Sequence, residues 1–161
     1  MPSRIFNMPD GSGLLVFTET VLEHMYHFAQ VGWLHREAGG QLFCAEPHLT
    51  DILIDAVTGP NSKDMRRRCA FIPNVAQANV DRHHQFAAGR HAVGLWHTHP
   101  ERFPTPSLQD LQTAREYLDA FTLKMDGFLL VVLGNYGSPL EIAVWLVHNK
   151  YSRTGVRLTE V

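Results

Sequence analysis

Three side chains of types that commonly bind metal ions lie close together in the second half of the chain. His97 and His99 are separated by one residue, and Asp110 follows after a Pro-rich segment. Two imidazole nitrogens and one carboxylate oxygen form a ligand set that zinc accepts, and three protein ligands leave the fourth tetrahedral position for water. This open arrangement is typical of catalytic zinc sites and differs from closed structural ones. The three residues are therefore candidate ligands of a catalytic metal ion.

A strand and a helix must position these side chains. Residues 92–96 form a short apolar run with the length and composition of a buried strand, so both histidines are expected at its end. Pro100 then stops the ladder, because proline has no N–H to donate. Beyond the loop, apolar residues recur at helical spacing, which places Asp110 in a first helical turn. The apolar residues of this helix are Leu111, Ala114, Leu118 and Phe121.

Ser107 is predicted to cap the same helix. A Ser-x-x-Asp pattern before an apolar run is far more often a capping box than a functional site. A single His-x-His pair at a strand end is likewise often a surface feature. The two patterns together, in the order His-x-His-x7-Ser-x2-Asp, are much less frequent by chance, which favours a functional site.

The combined pattern resembles the motif of a known family. Residues 97–100, His-Thr-His-Pro, together with Ser107 and Asp110 match without a gap the JAMM motif of the JAB/MPN metalloproteases. The resemblance implies a zinc ion (Zn2+) held by His97, His99 and Asp110, and a Ser107 hydroxyl that donates to the oxyanion formed during hydrolysis. It also implies an α/β (α+β) fold of the cytidine-deaminase-like type, in which a mixed β-sheet is sandwiched between helices.

Glu37 is the candidate general base. It lies two residues before the pair Gly39 and Gly40, where the absence of side chains allows a backbone or a ligand to approach closely. Spacing alone does not distinguish this glutamate from the others in the chain. The pattern Glu-x-Gly-Gly-x-Leu, however, resembles the segment that carries the catalytic glutamate in JAB/MPN enzymes. The resemblance therefore implies that Glu37 is catalytic.

A different zinc chemistry is excluded by the cysteines. His35 and Glu37 form a His-x-Glu pattern that also occurs in zinc nucleobase deaminases. Those enzymes complete the metal site with Pro-Cys-x-x-Cys, and neither Cys44 nor Cys69 lies in such a pattern. Two cysteines are also too few for a disulfide framework. We therefore expect reduced thiols and a cytoplasmic protein.

Length and charge restrict the class of protein further. A chain of 161 residues is long enough to bury a hydrophobic core that is stable without disulfide bonds. We expect residues 1–161 to form a single JAB/MPN metalloprotease domain. The net charge of −2 gives no reason to expect nucleic acid or an anionic membrane as a partner. No apolar run has the length of a membrane span.

Strands and helices are predicted to alternate along the chain. Apolar patterns and turn residues define each element, and their order indicates a mixed sheet packed between helices. Residues 70–72 are expected to return to the sheet, residues 134–137 to form a turn, and residues 151–161 to be a polar tail. The predicted strands are 14–17, 41–44, 51–57, 92–96, 127–133 and 140–147, and the predicted helices are 20–31, 75–88 and the one after Ser107.

Residues 59–73 contain the one basic cluster, Arg66, Arg67 and Arg68. Such a run is usually a solvated loop, and without interleaved aromatic residues it gives poor evidence for single-stranded nucleic acid binding. In the JAB/MPN family this region clamps the extended tail of the substrate. We therefore predict a loop that is mobile without substrate, with arginines that pair with substrate carboxylates or carbonyls.

The resemblance also indicates a reaction. JAB/MPN enzymes with an intact motif remove a ubiquitin-like or C-terminally conjugated protein from an amine. This chain resembles the stand-alone prokaryotic members, including the deconjugating proteases of CBASS antiphage operons, which act beside E1/E2-like ligases on a conjugated nucleotidyltransferase. Two alternatives stay open: processing of a ubiquitin-like sulfur carrier, and a catalytically silent MPN scaffold that works by binding.

Overall fold

The computed structural model describes residues 3–120, 127–148 and 155–161. Within these residues the chain forms twelve strands, three α-helices and a short 3-10 turn, and none of the helices is long and apolar enough to span a membrane. The helices are α1 (Glu19–His27), α2 (Val75–Ala87) and α3 (Leu108–Ala120). The strands are β1 (Arg4–Asn7), β2 (Leu14–Phe17), β3 (Gly39–Cys44), β4 (Ile52–Ile54), β5 (Ala56–Val57), β6 (Met65–Arg67), β7 (Ala70–Ile72), β8 (His91–Thr98), β9 (Gly127–Gly137), β10 (Leu140–His148), β11 (Val156–Arg157) and β12 (Thr159–Glu160).

A six-stranded mixed sheet forms the centre of the fold, with the strand order β11-β10-β9-β8-β3-β5. Strand β8 pairs in parallel with β9 and antiparallel with β3, so it is flanked on both sides. Its residues 93–96 are buried, as a continuous apolar run predicts. The register places His97 between Val132 and Gly39 at the end of the pairing.

The two faces of this sheet pack against different layers. On one face, alternate strand residues such as Trp96 and Val131 share a core with α1 and with a second sheet of order β12-β1-β2-β4. On the other face, Leu95 and Leu130 pack against α3 through Ala114 and Leu118. The predicted architecture of a mixed sheet between helices is thereby confirmed.

The predicted strand 51–57 is divided between two sheets. Ile52–Ile54 pairs in parallel with β2 in the smaller sheet, whereas Ala56–Val57 pairs with β3 in the larger one. Asp55 lies at the crossing, where its carboxylate accepts a hydrogen bond of 3.0 Å from Arg90. The prediction of one strand was wrong because an apolar run does not reveal which neighbour each half pairs with.

The first helix begins and ends earlier than predicted. Its N-cap is Thr18, whose hydroxyl accepts from the Val21 amide at 3.4 Å, and its last residue is His27. The capping-box pattern at Thr20 was misleading because two threonines compete for the same role. Residues 29 and 30 instead turn into the interior, where both are buried.

The chain end takes part in both sheets, contrary to the expectation of a plain polar tail. Val156–Arg157 adds an edge strand to the large sheet, and Thr159–Glu160 pairs with β1 in the smaller one. Leu158 between them is buried in the main core. The expected turn at residues 134–137 is also wrong, because β9 continues to Gly137. Phe121 and residues 151–154 lie outside the described residues.

Candidate active site

The structure brings the three predicted metal ligands together. Nδ1 of His97 lies 3.2 Å from Oδ1 of Asp110, and Nε2 of His99 lies 3.4 Å from Oδ2 of the same carboxylate. One ligand atom from each residue falls within a group whose members are at most 4.8 Å apart. His99 and Asp110 are buried, and His97 is partly exposed. This cluster of two imidazoles and one carboxylate fits a divalent metal with N/O ligands.

Asp110 belongs to the cluster and to a helix cap at once. Its Oδ2 accepts hydrogen bonds from the Ser107 amide at 2.7 Å and from the Ser107 hydroxyl at 2.8 Å. In return, the Ser107 oxygen accepts from the Asp110 amide at 3.1 Å. This reciprocal capping box fixes the side-chain rotamer of Asp110. The helix cap and the ligand cluster therefore depend on the same two residues.

The electrostatics of the cluster favour an ionised carboxylate. Burial alone raises the pKa of Asp110, but the hydrogen bonds with His97 and His99, their charges and the Ser107 hydroxyl lower that pKa well below its usual range. Burial alone lowers the pKa of His99, and the hydrogen bond with Asp110 and the nearby carboxylates outweigh it, so that this pKa is raised. A metal ion competes with protons for these atoms, and an anionic carboxylate supports its binding.

Glu37 lies against the cluster on the side that faces Asp110. Its Oε1 is 3.2 Å from Nε2 of His99, the same nitrogen that approaches Asp110. Only 6% of Glu37 is exposed, and burial raises the pKa of its carboxyl group above the ordinary value. A buried carboxyl group within hydrogen-bonding distance of an imidazole of the cluster is well placed to exchange protons.

A second carboxylate was not anticipated from the sequence. Oε2 of Glu101 lies 3.9 Å from Nδ1 of His99, on the opposite side of the ring from Glu37. Its side chain is 49% exposed, compared with 8% for Glu37. The only sequence signal is its position directly after Pro100. Because it faces the other nitrogen and is solvated, Glu101 is the weaker candidate for the base.

Gly39 and Gly40 allow other backbone segments to approach the site. A Cβ atom on Gly39 would lie 2.7 Å from the Trp96 carbonyl oxygen and 2.9 Å from the Phe71 ring. A Cβ atom on Gly40 would overlap the carbonyl oxygen of Thr58. The expected close approach is therefore confirmed, and the group that approaches is the protein's own chain. Phe71 in turn contacts the His97 ring edge to face, with 5.6 Å between ring centroids.

Strands β6 and β7 form a separate hairpin beside the cluster. Contrary to expectation, β7 does not return to the large sheet, and within the described chain it pairs only with β6. A cleft of about 720 Å³ opens between this hairpin, α2 and α3. The residues that line it include all five predicted site residues together with Cys69, Phe71, Ile72, Ala78, Leu95 and Tyr117.

Two of the three arginines of this hairpin are bound to the protein itself. Arg66 donates to the carbonyl oxygen of Glu37 at 2.7 Å, and Arg68 donates to that of Trp33 at 2.5 Å. Arg67 is exposed. The prediction that all three arginines pair with substrate stays a prediction, and these contacts make Arg67 the first of the three to test.

A buried amide missing from the predictions connects the hairpin to the histidine strand. Gln30 donates to the Arg68 carbonyl oxygen at 2.7 Å, and its own carbonyl oxygen accepts from the Thr98 hydroxyl at 3.2 Å. The Thr98 hydroxyl also accepts from the Ala38 amide at 2.9 Å. No local pattern marks Gln30, because its partners are distant in sequence.

The mixed sheet between helices thus carries, at a strand end, a His-His-Asp cluster that could hold a metal ion, with a buried glutamate beside it. The family described as prokaryotic homologs of the JAB domain matches residues 18–148. The chain belongs to this family.

The chain is also similar to two named relatives and to a solved structure. The chain is 28% identical over 124 residues to a CD-NTase/cGAS isopeptidase of Vibrio cholerae serotype O1, a match that covers 75% of this chain and 76% of the relative. It is 36% identical over 102 residues to a CD-NTase/cGAS isopeptidase of Pseudomonas aeruginosa, which covers 61% and 63% of the two chains. The solution structure of protein DSY2949 from Desulfitobacterium hafniense shares the fold, with a TM-score of 0.62 and 17% identity over 90% of this chain and 88% of that one.

Proposed function

We propose that this protein is a zinc-dependent isopeptidase that removes a C-terminally conjugated protein from an amine. The observation that carries the proposal is the contact between the buried Glu37 and His99. His99 belongs to the group that it forms with His97 and Asp110. This contact supports a site in which the proposed base, Glu37, lies next to the place where a zinc ion would act as the electrophile. When bound, zinc supplies Lewis acidity that polarises a carbonyl and lowers the pKa of water from about 15.7 towards about 7.

Glu37 is proposed to move the protons of the reaction. It accepts a proton from the attacking water and then transfers a proton to the departing amine, which is otherwise a poor leaving group. Its burial keeps competing bulk water away from the carboxyl group. Cys44 is not the nucleophile of this chemistry, because burial raises the pKa of its thiol to about 12.

Ser107 is proposed to donate a hydrogen bond to the oxyanion of the tetrahedral intermediate. In the structure the Ser107 hydroxyl donates to Asp110. Rotation about the Cβ–Oγ bond redirects this hydrogen into the cleft that Ser107 lines. The Ser107 amide keeps its hydrogen bond to Asp110 throughout, so the carboxylate stays in place.

The proposed substrate is a protein conjugate with an extended C-terminal tail. Among the described residues β7 pairs only with β6, and its residues line the cleft, where adding an extended peptide as a further strand is a general way to bind a tail. The names of the relatives specify isopeptidases for CD-NTase/cGAS. We therefore favour a conjugated nucleotidyltransferase, or a ubiquitin-like protein, in a cytoplasmic bacterial antiphage system with E1/E2-like partners.

The proposal is tested with conjugates in which the C-terminal tail of a CD-NTase, or of a ubiquitin-like protein, is joined by an amide bond to a fluorescent amine. The metal-loaded protein should release the amine, and a chelator should abolish the release until zinc is restored. The exposed substitution Glu23→Gln is the control and should leave release unchanged. Binding of the tails without any cleavage contradicts the proposal and favours a scaffold.

A further inference from the structure

The hairpin formed by β6 and β7 holds the backbone of Glu37 from both sides. The Glu37 amide donates to the Arg67 carbonyl oxygen at 2.7 Å. The Glu37 carbonyl oxygen accepts from Nε of Arg66, also at 2.7 Å. Glu37 precedes β3, so these two contacts, and not the large sheet, satisfy its backbone polar groups. The orientation of the proposed base therefore depends on the hairpin.

Arg66 is suited to hold this peptide in one orientation. A second guanidinium nitrogen donates to the carbonyl oxygen of Arg36 at 3.2 Å, so the planar group spans two consecutive carbonyls. The guanidinium also lies over the ring of Phe28, 5.6 Å from its centroid. Phe28 itself packs against Trp96 of the core. Arg66 thus joins the peptide before β3 to a rigid part of the protein.

The hairpin keeps other attachments that do not involve the Arg66 side chain. Gln30 still binds the Arg68 carbonyl oxygen, and the Glu37 amide still binds that of Arg67. Loss of the Arg66 side chain therefore removes one restraint on Glu37 and leaves the hairpin attached. The effect of that loss can be separated from unfolding.

We infer that Arg66 is a positioning residue for Glu37: by holding the carbonyl oxygens of residues 36 and 37, it fixes the direction in which the Glu37 carboxyl group points. The inference rests on the proposed function, in which Glu37 is the base. Proton transfer requires the base within hydrogen-bonding reach of the water, and a displacement of about 1 Å can cost about a hundredfold in rate. Arg66 acts on the chemical step and does not itself contact the substrate.

The test compares Arg66→Ala, Arg66→Lys and the exposed control Lys63→Ala by kinetics on the fluorescent conjugates. We expect Arg66→Ala to lower kcat about tenfold to a hundredfold, with KM changed less than about twofold and zinc content equal to that of the parent. Arg66→Lys should recover part of kcat, because an ammonium group can still donate to one carbonyl. Lys63→Ala should behave like the parent.

Hydrogen exchange of residues 33–41 gives a second readout that needs no activity. This segment should exchange faster in Arg66→Ala than in the parent or in Lys63→Ala. Unchanged exchange, an unchanged kcat, or a change confined to KM overturns the inference. If the alanine variant does not fold, a folded Arg66→Lys protein with the kcat of the parent overturns it. A parent that cleaves no conjugate contradicts the proposed function, while exchange still decides whether Arg66 holds the segment.

Discussion

At the residue scale, Asp110 is the residue on which helix and cluster both depend. One of its oxygens accepts two hydrogen bonds from Ser107, and the carboxylate approaches both histidines. Replacing it by asparagine keeps an acceptor for the cap but removes the charge. The Asp110→Asn variant can therefore distinguish the role of Asp110 in the helix cap from its proposed role as a metal ligand.

We expect purified protein to contain about one zinc ion per chain, and His97→Ala, Asp110→Ala and Asp110→Asn to lose most of it, because each removes a ligand or its charge. Metal analysis of the purified proteins measures this directly. Glu116→Gln, on an exposed turn of the same helix, is the matched control. Full zinc content in Asp110→Ala would remove this residue from the ligand set.

Glu37→Gln should keep zinc and fold but lose nearly all turnover, about 10²-fold to 10⁴-fold, because both proton transfers depend on it. The parallel variant Glu101→Gln tests the second carboxylate near His99. It should keep most of the activity, since that side chain is solvated and faces the other ring nitrogen. The assignment is wrong if Glu37→Gln stays active while Glu101→Gln does not.

Ser107→Ala should lower kcat by about 10²–10³ with KM little changed if the hydroxyl donates to the oxyanion. If Ser107 only caps α3, the loss appears instead as about 1 kcal/mol of stability, with activity per folded molecule intact. Melting and kcat are measured on the same sample. Ser107→Thr keeps a hydroxyl and should retain most of both properties.

At the scale of elements, the β6–β7 hairpin has two sides with different contacts. Toward the protein it holds Glu37 and places Phe71 against His97. Toward the cleft it presents β7, which has no second strand partner among the residues that the structure describes. The mobility of this segment without substrate stays a prediction. An element that contacts both the base and the cleft is able to couple tail binding to the position of Glu37.

Among the three arginines, only Arg67 is expected to report on the substrate. Arg67→Ala should raise KM for the protein conjugate by up to about tenfold, about 1.4 kcal/mol, and leave kcat and zinc content unchanged. Steady-state kinetics at two salt concentrations measures the effect, because a contact between exposed charges weakens as salt rises. Kinetics equal to those of the parent would make Arg67 an ordinary surface residue.

At the scale of the whole molecule, the end of the chain joins the two sheets. Val156–Arg157 extends the large sheet, Thr159–Glu160 pairs with β1, and Arg4 donates to the Glu160 carboxylate at 2.6 Å. Leu158 anchors this segment in the main core with 5% exposure. The segment therefore contributes to global stability, and it is not among the residues that line the cleft.

Leu158→Ala should lower the free energy of unfolding by about 2–5 kcal/mol, because it removes buried methyl groups from a packed core. Urea unfolding measures this, and Val161→Ala is the control, since Val161 is 78% exposed. Zinc content and kcat of the folded variant should match the parent. Equal stability of the two variants would show that the chain end only lies on the surface.

The sequence by itself determined the features that depend on local spacing. His97, His99, Ser107 and Asp110 could be selected because the strand end and the helix start are both encoded within a few residues. Glu37 required the family resemblance, since no spacing connects it to the histidines. The spacing of apolar residues is also a local property of the sequence, and it predicted which of the main segments are strands and which are helices.

Only the tertiary structure decided which distant segments meet. The division of residues 51–57 between two sheets, the separate hairpin and the role of the chain end all depend on strand partners far away in sequence. The same holds for Arg66 and Gln30, whose bonds to backbone carbonyls form after the hairpin packs beside Glu37. Every residue type has the same backbone carbonyl group. A side chain that binds such a carbonyl therefore requires no particular partner residue, and the sequence shows no pattern that connects the two.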